Sequence, residues 1–131
     1  MKWDKYFSLG VGGIGLLVNY LWGGLDTMLT VLFTMMGLDF IAGLLCGAKD
    51  KKLDSEVAYL GITRKKMMIL IMIAVAVNLD NLLGLDGSTR AIAIFYYTSM
   101  EGLSIIENAG KLGFPFPKKI TDMLIQLQDR D

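Results

Sequence analysis

Four apolar segments, residues 6–25, 27–48, 67–85 and 89–109, make up most of this chain. Each has about the twenty residues that a helix rising ~1.5 Å per residue needs to cross ~30 Å of hydrocarbon. The charges are segregated to match. If all four segments cross, the amino terminus, the 49–66 loop and the carboxy-terminal tail share one side. Those stretches carry Lys2, Lys5, Lys49, Lys51, Lys52, Arg64, Lys65, Lys66, Lys111, Lys118, Lys119 and Arg130, twelve of the 13 basic residues, and only Arg90 falls near the opposite face. Lys and Arg accumulate in cytoplasmic loops. The expected fold is therefore all-α and polytopic, with four transmembrane helices and both termini cytoplasmic. The alternative is three spans with the first segment lying along the interface.

Composition alone would not reveal this, because 53% hydrophobic residues and zero net charge are near a soluble average. The longest connection, 49–66, is too short for a core of its own, so residues 1–131 read as one integral-membrane domain. The lone Cys46 excludes an internal disulfide, and a chain without histidine lacks the usual zinc ligand and proton shuttle. Nine methionines suit adaptable packing better than metal binding. No phosphate loop, nucleophile elbow or base-stacking motif is present, so the reading is non-enzymatic, without cofactor, metal or nucleic acid. Lys2 and Lys5 before an apolar run imitate a signal peptide, but the run is long and meets another span at once, as a retained segment would.

The turns are short. Gly23, Gly24 and Asp26 form one, in which Asp26 can cap the second helix; Gly84, Asp86, Gly87 and Ser88 are expected to do the same for the fourth. The 49–66 loop has a basic cluster at each end, with Val57, Tyr59, Leu60 and Ile62 offered to the interface between them. Pro115 and Pro117 break the last long helix, and Ile120, Met123, Leu124 and Leu127 then recur at one-face spacing. The tail, 110–131, is expected to hold a short amphipathic cytoplasmic helix.

Asp39, Asp80, Glu101 and Glu107 fall inside the apolar segments. An acid at a helix centre costs on the order of 2.5–3.5 kcal/mol on insertion scales, whereas a Leu returns only about 0.3–0.6. These side chains should therefore avoid lipid. Asp39 lies 12 residues in from Thr27 and Glu101 lies 12 in from Thr89, which puts both near mid-bilayer. Neither can cheaply be charged and unpaired there, so both are expected to be protonated or hydrogen-bonded between helices. Asp80 is at a depth close to Arg90, its expected ion-pair partner. Lys111 follows Glu107 by four residues on one helix face. Tyr97, Glu101, Ser104 and Asn108 form a polar stripe along the fourth helix. Gly43 and Gly47, four apart beside Asp39, permit close helix approach, and the first segment carries Gly10, Gly12, Gly13 and Gly15. The polar groups could glue a bundle together or line a water-filled path; the pattern allows both.

Two blocks carry a resemblance: LDFIAGLLCGAKDKKLDSEVAYLGITRKKMMILIMIAVAVNLD, and downstream EGLSIIENAGKLGFPFPKKI. Together they cover roughly residues 38–120. They resemble the phage and toxin-secretion holin family in their Asp-x-x-x-Gly helix, Lys-rich loop ending in Leu-x-Ser, later Gly and basic pair, second Asp-containing helix, and Glu, Ser, Glu-Asn, Gly, Pro-x-Pro order. The matching positions are Asp39, Gly43, Ser55, Gly61, Asp80, Glu101, Ser104, Glu107, Asn108, Gly113, Pro115 and Pro117. The resemblance implies a permeabiliser that homo-oligomerises in the bacterial cytoplasmic membrane and opens lesions through which an endolysin or toxin is released, with an antiholin as a further partner. It implies no catalytic role for any residue. Two rivals remain: a small proton-coupled multidrug exporter, and an antiholin or other regulatory membrane subunit. Exporters of that kind carry a coupling Glu on the first helix, where this chain has only Asn19 as a strongly polar group.

Overall fold

A computed structural model describes residues 2–49 and 56–129, with side chains for all of these except 49 and 56–59. Lys51, Lys52 and Ser55, and the side chains of Lys49, Val57 and Tyr59, lie outside the described residues. The rest is five helices: α1 (Lys2–Trp22), α2 (Thr27–Lys49), α3 (Glu56–Leu83), α4 (Ser88–Lys111) and α5 (Lys118–Gln128). The all-α expectation holds among the described residues.

Two stretches are long and apolar enough to cross a membrane, Thr27–Ala48 and Leu60–Leu83. Only 22% and 28% of their most apolar windows are buried inside the chain, whereas the core helix of a water-soluble fold is mostly buried. The other two expected spans fall short of that measure. Glycines and Asn19 dilute the apolar run of α1, and Arg90, Glu101 and Glu107 interrupt that of α4.

The hub is α4, which packs against α2, α3 and α5, while α1 touches α3. Leu29, Leu32 and Met36 from α2, Ile69 and Ile73 from α3, and Ile94 from α4 form the core. Residues 2–17 are all exposed, and α1 reaches the bundle through Val18, Leu21 and Trp22 in its last turns. Trp22 anchors it: its indole N–H donates to the Leu70 carbonyl at 2.9 Å. The same ring meets Phe33 edge-on, with centroids 6.3 Å apart.

The connection between α2 and α3 is shorter than expected, because residues 56–66 are already helical. Arg64, Lys65 and Lys66 therefore sit on α3, with Leu60 exposed and Ile62 half-buried. At the first tight turn Asp26 caps α2 as expected, its Oδ1 accepting the Leu29 N–H at 2.9 Å. The second turn differs. Gly87, at φ +81°, precedes α4 without a side-chain cap. Asp80, still on α3, instead accepts the N–H groups of Thr89 and Arg90 at 2.9 and 2.8 Å. A carboxylate reaching across the turn thus satisfies two donors that every helix start leaves orphaned.

The amphipathic tail helix is present, but it does not project away from the bundle. α4 ends in a Schellman arrangement: Gly113, at φ +86°, gives its N–H to Gly110, and Phe114 gives its N–H to Ala109 at 2.9 Å. Pro115 and Pro117 carry the chain round, and α5 returns along α4. A Cβ at Gly102 would meet the Leu124 methyls at 2.9 and 3.0 Å and Met35 Cε at 3.0 Å. α2, α4 and α5 thus meet at Gly102. Leu124 and Leu127 are half-buried there, while Ile120 and Met123 stay exposed.

Candidate functional site

Asp39, near the middle of α2, and Glu101, on the inward face of α4, converge on one cation. Lys66 Nζ donates to Asp39 Oδ2 at 3.0 Å and to Glu101 Oε2 at 2.9 Å. The Glu101 side chain is 4% exposed, Asp39 14% and Lys66 16%. The two acids expected at one depth do share a site. A lysine first read as one of six cytoplasmic basic residues lies between them. The reason is the early start of α3: Lys66 occupies the face that continues through Ile69, Ile73, Val77 and Asp80, at i+3, i+7, i+11 and i+14, all buried. Extending that periodicity backwards would have found it. Arg64 and Lys65 remain exposed.

The polar stripe of α4 completes the cluster. Tyr97, Glu101 and Ser104, with Asp39, Lys65 and Met68, border a cavity of about 240 Å³. Asn108 Nδ2 stands 3.5 Å from Asp39 Oδ1, and the Asn108 carbonyl accepts the Cys46 thiol at 3.2 Å. One ammonium facing two carboxyls attracts strongly in a low-dielectric interior. Removing Lys66 would leave two buried carboxyls without their cation.

A second polar assembly closes the end that carries the two tight turns. Arg90 is 8% exposed and pairs with Asp26, not with Asp80 as expected. Its Nη1 donates to Asp26 Oδ2 at 2.7 Å and its Nη2 to Oδ1 at 3.1 Å. Nε also donates to the Trp22 carbonyl at 2.6 Å, and Nη2 to that of Gly24 at 3.0 Å. The guanidinium thus complements the carbonyl end of α1 while gripping the start of α2. Asp80 is occupied with the backbone of α4, so Asp26 is the carboxylate in reach. The Arg90 guanidinium holds the Asp26 carboxyl below its usual value; partial burial opposes this and the Leu29 N–H adds to it. Gly23 is fixed by the same contact. Its φ is +80°, and a Cβ there would lie 2.7 Å from Arg90 Nε.

The remaining expected positions carry less. Glu107 and Lys111 form an exposed pair at 3.6 Å, of a kind worth little. Gly43 has nothing within 4 Å of a Cβ, so the close approach expected there is absent among the described residues, as it is at Gly10, Gly12, Gly13 and Gly15. Gly47 is half-buried. The close approach occurs at Gly102, which no spacing rule singled out. Asp26 was legible as a cap, but nothing local marked it as the partner of a residue 64 positions away.

The family model of the bacteriophage holin family matches residues 16–129, from the last turns of α1 to the end of α5. An uncharacterised 14.9 kDa protein of Clostridium perfringens, from the nagH 3′ region, is 38% identical over 129 residues, covering 96% of each chain. A second protein of C. perfringens (strain 13 / Type A) is 37% identical over 126 residues, covering 95% of this chain and 92% of its own. One from Listeria monocytogenes is 34% identical over 122 residues, covering 93% and 86%. No solved structure matches.

Proposed function

This chain belongs to the bacteriophage holin family, and we propose that it homo-oligomerises in the bacterial cytoplasmic membrane and opens lesions that release an endolysin or a toxin. The observation that carries this reading is the Asp39–Lys66–Glu101 cluster. Three ionisable groups near the middle of an apolar bundle are held by one another, with about 240 Å³ of space beside them. Such a cluster is tolerated in one chain only while it stays paired, and it gains water when neighbouring copies provide a hydrated path. Membrane potential acts at about 2.3 kcal/mol per charge per 100 mV on any charge that moves. That is comparable with the few kcal/mol separating the states of a switch.

In this reading four segments cross. α2 and α3 supply the two most apolar crossings, α4 returns between them, and the exposed apolar surface of α1 faces lipid. The amino terminus and the basic connection between α2 and α3 then lie in the cytoplasm. A cysteine introduced at Ser55 in a Cys46→Ser background should be shielded from impermeant reagents in intact cells, and one at Ser88 labelled. External labelling at Ser55 overturns the orientation.

The functional test is expression without any other phage protein. After a lag, growth should stop abruptly and the membrane potential collapse. Asp39→Asn and Glu101→Gln keep shape while each removes one charge, so each should change the timing of that collapse at near-normal abundance. Steady growth despite membrane accumulation favours an antiholin or other regulatory subunit, and dye extrusion by growing cells favours an exporter.

A further inference from the structure

α5 lies at a depth that its outward face does not suit. Its Leu124 methyls occupy the space over Gly102, and Met35 Cε reaches the same spot from α2. Met35 is eight residues into the Thr27–Ala48 span, close to its centre, so the middle of α5 is level with the middle of that span. The helix continues further the same way. Gln128 borders a cavity of about 260 Å³ with Leu79, Thr89, Tyr96 and Tyr97, on the side toward the two tight turns.

Thr121, Leu124, Leu127 and Gln128 are the half-buried residues of this helix. On the opposite side Lys118, Asp122 and Gln126 recur every four residues, and all are exposed. Lipid cannot cover that side at mid-depth: an Asp in hydrocarbon is disfavoured far more than one docked Leu is favoured. Water can. Resting on the lesion reading above, we propose that α5 forms part of the wall of the aqueous opening, docked on α4 with Asp122 and Gln126 facing the lumen. The tail helix would then act as a lining element, with α4 behind it and Tyr97 bordering both the cavity at Gln128 and the one beside Asp39 and Glu101.

Charge selectivity tests this in planar bilayers containing the full-length Cys46→Ser protein. Asp122→Cys or Gln126→Cys is modified with a negatively charged thiosulfonate after lesions have opened, so assembly precedes the change. The permeability ratio of K⁺ over Cl⁻ should rise by about twofold or more, as expected when a ring of lumen charges becomes more acidic. An unchanged ratio after modification confirmed by mass spectrometry overturns the lining role and leaves the lesion reading standing. Absence of any conductance from the unmodified protein overturns the lesion reading itself. In a second arm, Gly102→Cys with Leu124→Cys should form a disulfide while conductance persists. Failure of that bond to form, or conductance lost on oxidation and restored by reductant, overturns the docked arrangement in the open state.

Discussion

Lys66 Nζ lies 2.9 Å from Glu101 Oε2, joining residues 35 positions apart. The same ammonium holds Asp39 at 3.0 Å, so α2, α3 and α4 meet through one charged group. A lysine can do this because its charge sits on a long flexible stem, which lets α3 keep its apolar face packed while the ammonium reaches two neighbours.

Lys66→Met should destabilise the protein by about 3–5 kcal/mol, because it leaves two buried acids without their cation. Thermal unfolding in detergent and membrane abundance report the loss. Combining Lys66→Met with Asp39→Asn and Glu101→Gln removes the stranded charges and should restore most of the stability. Wild-type stability of Lys66→Met alone would show that the bridge contributes nothing.

The Arg90–Asp26 pair gives a pH dependence. Asp26 has a folded pKa lowered chiefly by its hydrogen bonds from Arg90. The unfolded chain therefore binds its proton more tightly, and the contribution of Asp26 is fully present above about pH 4, the unfolded value. It is lost as pH falls through the lowered folded value. The melting temperature of the detergent-solubilised protein should fall on strong acidification, and less steeply for Asp26→Asn. Identical slopes would mean that Asp26 has no such linkage.

Asp80→Ala removes the acceptor for the Thr89 and Arg90 N–H groups and should cost about 1–2 kcal/mol, in the range of a lost helix cap. Amide exchange should accelerate at residues 89–91 before the rest of α4 opens. Asp80→Asn, which keeps one acceptor oxygen, should fall between Ala and wild type.

Gly102→Val places branched atoms where Leu124 and Met35 now sit, and should lift α5 from α4 at a cost of about 1–3 kcal/mol. Trypsin cleavage after Lys118 and Lys119 in solubilised protein should speed up. Gly102→Ala should be milder, because the atoms it meets are the mobile ends of a Leu and a Met. Equal cleavage rates for Val and wild type would argue that α5 is not held by this contact.

What the sequence determined by itself is what depends on one helix at a time. Length and apolarity place α2 and α3, a cap residue marks the start of α2, and Gly113 with two prolines stops α4. The spacing of Tyr97, Glu101, Ser104 and Asn108 sets one polar face, since 3.6 residues per turn fixes it before any packing. Tertiary structure decided the partners. Local periodicity allows Asp80 or Asp26 for Arg90, and only the meeting of the two turns selects Asp26. It puts Lys66 on the buried face of α3 once that helix starts early, but not between Asp39 and Glu101. It gives α5 an apolar face but not the surface that receives it; that surface exists because Gly102 lacks a side chain at the point where α2 and α5 both press on α4. Charge pairs and helix contacts join residues tens of positions apart, and the energy of such a contact is a property of the assembled bundle that no single helix encodes.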